Sequence, residues 1–153
     1  SMAFPSSGLF VVTFADALDT TQLALDLDLE THKVALFTNS VTGADLTTDT
    51  AYGVGAWASN EVPNGSGYTT GGVALTGTSW AHTGTGVIVW DATTDPSWAA
   101  ATITARGGLY YADALAGNNA IVAQTFGADI VSTGGTFLVT LAAGGVFSID
   151  FVP

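Results

Sequence analysis

The sequence predicts a mainly β domain, an antiparallel β-sandwich or barrel-like fold with one short N-terminal helix. Three observations predict it. From Val73 onward, short apolar runs alternate with Gly-rich clusters, the pattern of strands joined by hairpins. In the last run Phe147, Ile149 and Phe151 alternate with Ser148 and Asp150, which gives a strand one dry and one wet face. Near the N-terminus Phe14, Leu18 and Leu25 fall at helical spacing, with Thr13 and Asp16 as capping residues.

In chain order, the helix is expected over residues 13–24. The competing signal is Leu23, Leu25, Leu27 and Leu29 alternating with Ala24, Asp26 and Asp28, and this Leu/Asp stretch is read as leading out of the helix. Lys33–Thr38 is short and nearly all apolar, as a central strand requires. Residues 39–72 form a long loop region rich in Thr, Gly, Asn and Asp, with a short helical turn expected within Ala51–Asn60. A connection of this length carries a function or some structure of its own. The later strands are expected at Val73–Trp80, Val87–Asp91, Ala101–Tyr111, Ala120–Phe126, Phe137–Leu141 and Val146–Phe151. Turns are expected at Thr83–Gly86, Ala116–Asn119, Ser132–Gly135 and Ala142–Gly145. Residues 1–153 make one domain, and Ser1-Met2 reads as the remnant of an expression tag.

Composition narrows the functions. With 48% apolar and 10% charged residues, the chain is too apolar for intrinsic disorder. Its net charge is −11, and Lys33 and Arg106 are its only Lys or Arg. Nucleic-acid binding, which rests on Lys and Arg, is therefore not expected, nor is an anionic membrane as partner. No cysteine is present, so thiolate metal sites and disulfides are excluded. No apolar stretch reaches the roughly 18 residues of a membrane-spanning helix, and the start lacks the features of a signal peptide.

Catalytic apparatus is not expected. Nucleophilic catalysis needs a base beside the nucleophile; only His32 and His82 exist, and both read as surface or strand-end residues. Two distant histidines do not make a zinc site. Thirteen acids offer carboxylate pairs for glycoside chemistry, but no pairing is legible. The Gly-rich strings precede strands and lack the lysine of a phosphate loop. No cofactor is expected, and the one cation candidate is calcium near Asp26, Asp28 and Glu30, three acids on one side of an extended chain. A solvated strand face is the favoured reading there. Among the aromatics, Trp90 and one of Tyr110 and Tyr111 are assigned to the core. Trp57, in the long connection, is expected to be the exposed aromatic. With Tyr52 and Tyr68 it forms the candidate contact set, as an interface anchor or a platform for a sugar ring.

The segment order carries a resemblance. Leu29–Thr38, Asn60-Glu61-Val62, the string Gly65-Ser66-Gly67-Tyr68-Thr69-Thr70-Gly71-Gly72, Ala101–Gly107, Tyr110-Tyr111, Phe126–Asp129 and Gly135-Thr136-Phe137 follow one another. Over most of residues 14–151 the chain resembles a set of small structural proteins of tailed-bacteriophage virions. The string from Glu61 to Gly72 is its most distinctive part. The resemblance implies a sandwich-like virion component without catalytic residues, placed as a capsid decoration (cement) protein on the head exterior. Its implied partners are the major capsid protein and copies of itself, a trimer matching local threefold positions. The alternative is a tail or fibre module that binds a receptor or carbohydrate. Apolar strands with little charge also need their edges covered, and the C-terminal strand is one such edge.

Overall fold

A computed structural model describes residues 3–153. The elements are β1 (Gly8–Leu9), α1 (Val11–Leu18), β2 (Lys33–Phe37), a 3-10 turn (Gly55–Ala58), β3 (Val73–Ala74), β4 (Thr76–His82), β5 (Val87–Thr94), β6 (Ser97–Tyr111), β7 (Ala120–Leu138) and β8 (Phe147–Asp150). They form two antiparallel sheets, one of five strands in the order β1-β7-β6-β2-β3 and one of three in the order β4-β5-β8. The sheets do not close into a barrel; the arrangement is that of a sandwich.

Two apolar layers flank the larger sheet. Between the sheets lie Val34, Leu36, Trp90, Ile103, Tyr110 and Ile121. On its other face lie Ala35, Phe37, Trp57, Leu109 and Tyr111, packed with Phe4 and Phe10. Strand β2 supplies alternate residues to each layer, which is why it reads as an unbroken apolar run. The cover on the second face is the connection 39–72, so both Tyr110 and Tyr111 are buried, one in each layer. The sequence assigned only one of them to the core.

Several boundaries differ from expectation. The helix is Val11–Leu18 instead of residues 13–24. Phe10, fully buried and bonded through its N–H to the Ile121 carbonyl, precedes it. Thr13 is buried within the helix, where its hydroxyl donates to the Ala120 carbonyl instead of capping. Helical bonding stops at Asp19, whose carboxylate turns back to accept the Thr21 N–H. The expected strand Val73–Trp80 divides at Leu75: β3 belongs to the larger sheet and β4 to the smaller. Ser132–Gly135 is not a turn. It lies inside β7, which pairs with β6 across register shifts and absorbs its glycines as irregularities. Phe137 and Leu138 consequently end β7 instead of opening a new strand. The alternation in β8 holds, with Phe147 and Ile149 partly buried and Ser148 and Asp150 exposed.

Candidate functional site

The connection 39–72 was expected to present aromatic side chains, and the structure uses them to hold itself together. Trp57, the expected exposed aromatic, is 1% exposed. Its ring meets the edges or faces of Phe4, Phe10 and Phe37 at centroid distances of 5.6, 5.8 and 5.1 Å. Its indole N–H donates to Asp49 Oδ2 at 2.9 Å, so the one polar atom is satisfied within the same connection. Tyr68 is 2% exposed and packs in the other layer, between the sheets, with its ring 6.0 Å from that of Trp98. Tyr52 is half-buried and stacks on Tyr111, with centroids 4.4 Å apart and planes 9° from parallel. The assignment of Trp57 and Tyr68 as exposed contacts is therefore corrected: Trp57 belongs to the second cover that a both-sides-buried sheet needs, and Tyr68 fills the layer between the sheets.

Glu61 joins two of the three, Tyr52 and Tyr68. One carboxylate oxygen accepts from the Tyr52 hydroxyl at 2.6 Å. The other accepts from the Tyr68 hydroxyl at 2.5 Å and from the Gly71 N–H at 2.7 Å. Tyr68 in turn accepts the Leu36 N–H of β2 at 3.0 Å, and Tyr111 donates to the Gly71 carbonyl at 2.7 Å. Burial, followed by donation to the Glu61 carboxylate, raises both the Tyr52 and Tyr68 hydroxyls above the usual phenol range, so both stay protonated donors. Asn64 closes the string on itself by accepting the Thr70 N–H. The segment Glu61–Gly72 is thus a clasp that fastens the connection to β2 and β6. Glu61 was not among the candidate residues; the available signal was a lone carboxylate inside a Tyr/Gly string. Glu61→Ala leaves two hydroxyls and one N–H without their acceptor. It is expected to cost roughly 3 kcal/mol, lowering the melting temperature by roughly 6–12 °C in thermal unfolding. Glu61→Gln should cost less, since one acceptor oxygen remains.

The cation candidate has a different geometry from the one expected. Residues 22–30 form no strand, and a turn occupies 27–29. Asp26 Oδ1 accepts the N–H groups of Asp28 and Leu29, at 2.8 and 3.2 Å, which lowers its pKa below the usual carboxylate range. Asp28 Oδ1 accepts the Trp80 N–H at 3.2 Å. Asp26 and Asp28 therefore shape a turn and dock it on β4, and do not form one face of an extended chain with Glu30. Among the described residues no group of three or more His, Asp or Glu side chains is arranged to hold a metal ion.

The histidines separate. His82 is exposed on β4. His32 lies at a strand end, directly before β2, but it is fully buried instead of at the surface, with its ring edge-on to Trp90 at 5.3 Å. Its carbonyl receives the Leu75 N–H where the chain crosses between the sheets. Among the described residues neither ring nitrogen has a hydrogen-bond partner in good geometry, although the Asp26 and Glu30 carbonyls act on the ring. Burial lowers its pKa below the usual 6.5, opposed by the carbonyls of Asp26 and Glu30 and by both their carboxylates. The unfolded chain then takes up a proton near pH 6.5 that the folded chain resists. The His32 contribution therefore falls as pH drops below about 6.5. His32→Phe is expected to flatten this part of the stability profile, read as urea midpoints of both proteins between about pH 5 and 7.

The chain's two basic side chains are both in ion pairs, Lys33 with Asp113 at 3.6 Å and Arg106 with Asp129 at 2.8 Å. What remains exposed and apolar lies elsewhere. Val11, Leu18, Phe151 and Val152 are exposed around α1 and the end of β8, Ile130, Val131 and Leu138 along the far part of β7, and Leu29 and Val54 in loops. Comparison of the chain with protein-family models, curated proteins and solved structures returns no match.

Proposed function

We propose that this protein is a non-enzymatic structural component of a tailed-bacteriophage virion, a decoration protein on the capsid exterior that binds the major capsid protein and neighbouring copies of itself. The observation that carries the reading is the pair of exposed apolar surfaces, at α1/β8 and along β7. They sit on a chain with few charges to keep apolar surface dispersed. The two grooves there share no lining residue, so one rigid sandwich offers two contacts, as bridging neighbours in a shell requires. The resemblance carried by residues 61–72 supplies the virion context, and the charge of −11 favours a position away from packaged DNA. A carbohydrate-binding tail module would need exposed aromatics, and the burial of Trp57 and Tyr68 takes away two of its three candidates. Mass spectrometry of purified particles is expected to find hundreds of copies per virion. A copy number near six would move the protein to the tail, and absence from particles would overturn the reading.

A further inference from the structure

The clasp holds the one Asn-Gly pair of the chain, Asn64-Gly65; the other asparagines precede Ser40, Glu61, Asn119 and Ala120. Such a pair can modify itself in water. The backbone nitrogen of the glycine, unhindered by a Cβ, attacks the side-chain amide carbon of the asparagine and expels ammonia, closing a cyclic imide. Water then opens the imide at either carbonyl. Opening at the side-chain carbonyl leaves aspartate. Opening at the backbone carbonyl leaves isoaspartate, whose main chain runs through the former side chain and is longer by a carbon.

Asn64 and Gly65 are exposed, so water reaches them. Their reacting atoms are nevertheless held. The Gly65 N–H donates to the Tyr68 carbonyl at 2.7 Å, and the Tyr68 N–H returns a bond to the Gly65 carbonyl at 3.0 Å. Attack needs the Gly65 nitrogen stripped of its proton, and that proton is engaged. Asn64 Oδ1 accepts the Thr70 N–H at 3.0 Å, which fixes the amide carbon. The turn between them has no slack. A Cβ at Gly67 would lie 2.6 Å from the Ala101 Cα, and the Ser66 carbonyl accepts the Thr102 N–H of β6 at 2.8 Å.

We propose that Asn64 is a self-modification site gated by the clasp. While Glu61–Gly72 is closed the amide persists. Each opening frees the Gly65 nitrogen to react, so the rate follows the open population. Isoaspartate then makes the opening permanent, because the extra backbone carbon has no room between the Asn64–Thr70 bond and the Gly67–Ala101 contact. Either product also adds a negative charge to a chain at −11. The site therefore records whether the connection 39–72 has come away from β2 and β6. This inference rests on the clasp and stands apart from the virion reading.

The test incubates the full chain and a synthetic peptide spanning Glu61–Gly67 side by side at mildly alkaline pH. Peptide mapping by mass spectrometry follows the conversion of Asn64, and isoaspartyl methyltransferase labelling separates isoaspartate from aspartate. Asn64 in the folded chain is expected to react at least roughly tenfold more slowly than in the peptide. Glu61→Ala and the milder Glu61→Gln, both checked as folded by circular dichroism, should raise the rate toward that of the peptide, Glu61→Ala further. The isoaspartate form, isolated chromatographically, should show fast hydrogen exchange at Val62 and Gly71. Asn64→Asp, which carries the charge without the longer backbone, should keep both amides protected. Reaction at the peptide rate in a chain whose Val62 and Gly71 amides are protected would overturn the gating and leave the clasp itself intact. An unchanged rate in the folded Glu61 variants would overturn it too. An isoaspartate form as protected as the wild type would overturn the one-way step.

Discussion

Gly72→Ala is expected to leave little or no folded protein. A Cβ at this position would lie 1.8 Å from the Val34 carbonyl oxygen and 2.7 Å from the Ala35 Cα. Both belong to β2, which pairs with β3 on one side and β6 on the other, so the obstructing atoms are backbone inside a sheet and cannot swing aside. The residue also has φ +80°, a conformation an alanine adopts at a cost of roughly 1–2 kcal/mol. The steric term adds to that, and a total above about 4 kcal/mol is a large share of the 5–15 kcal/mol that holds a domain together. Gly65→Ala separates the two causes. Its φ is +109°, but nothing lies within 4 Å of the added Cβ. It should lose only the backbone share, and circular dichroism melts of both variants would show the difference.

Trp57→Ala is expected to cost about 3–5 kcal/mol, the range for removing a large buried aromatic. The cavity would open among Phe4, Phe10 and Phe37, and the Asp49 carboxylate would lose its indole donor. The second cover of the larger sheet would loosen before the layer between the sheets. Near-ultraviolet circular dichroism and denaturant midpoints measure this; an unchanged midpoint would return Trp57 to the surface role its position in a long connection suggests.

Both variants bear on what the amino-acid sequence makes legible. Period-2 alternation announced β8, and the apolar run Lys33–Thr38 announced a central strand. What covers the second face was not visible. The connection's buried residues, Val41 and Trp57 on that face and Val62 and Tyr68 in the layer between the sheets, are scattered among Thr, Gly and Asp at no regular spacing. Periodicity cannot find a cover built from irregular backbone. The crossing at Leu75 was hidden because strands of both sheets share one period. The cluster Ser132–Gly135 misled because a turn and a strand irregularity both call for glycine. Helix α1 ended early because Leu25, which continues its pattern, lies beyond the turn at Asp19.

The candidate contact set was legible as a cluster and misread as to role. Tyr52, Trp57 and Tyr68 do gather about one connection. However, Glu61 and Asp49 engage their polar atoms inside the fold. The exposed apolar surfaces come from residues that read as ordinary helix or strand positions, such as Val11, Leu18 and Phe151. Their exposure is a product of tertiary arrangement and carries no local signal.

Native-state hydrogen exchange tests most directly whether residues 39–72 are part of the core. The Val62 N–H donates to the Leu36 carbonyl at 2.9 Å and the Gly71 N–H to Glu61 at 2.7 Å. If the Glu61–Gly72 clasp is a core element, both amides exchange only through global unfolding, at the same opening free energy as Leu109 in β6. Exchange of Val62 and Gly71 orders of magnitude faster than Leu109, with the sheet still protected, would contradict it and make the connection a mobile loop.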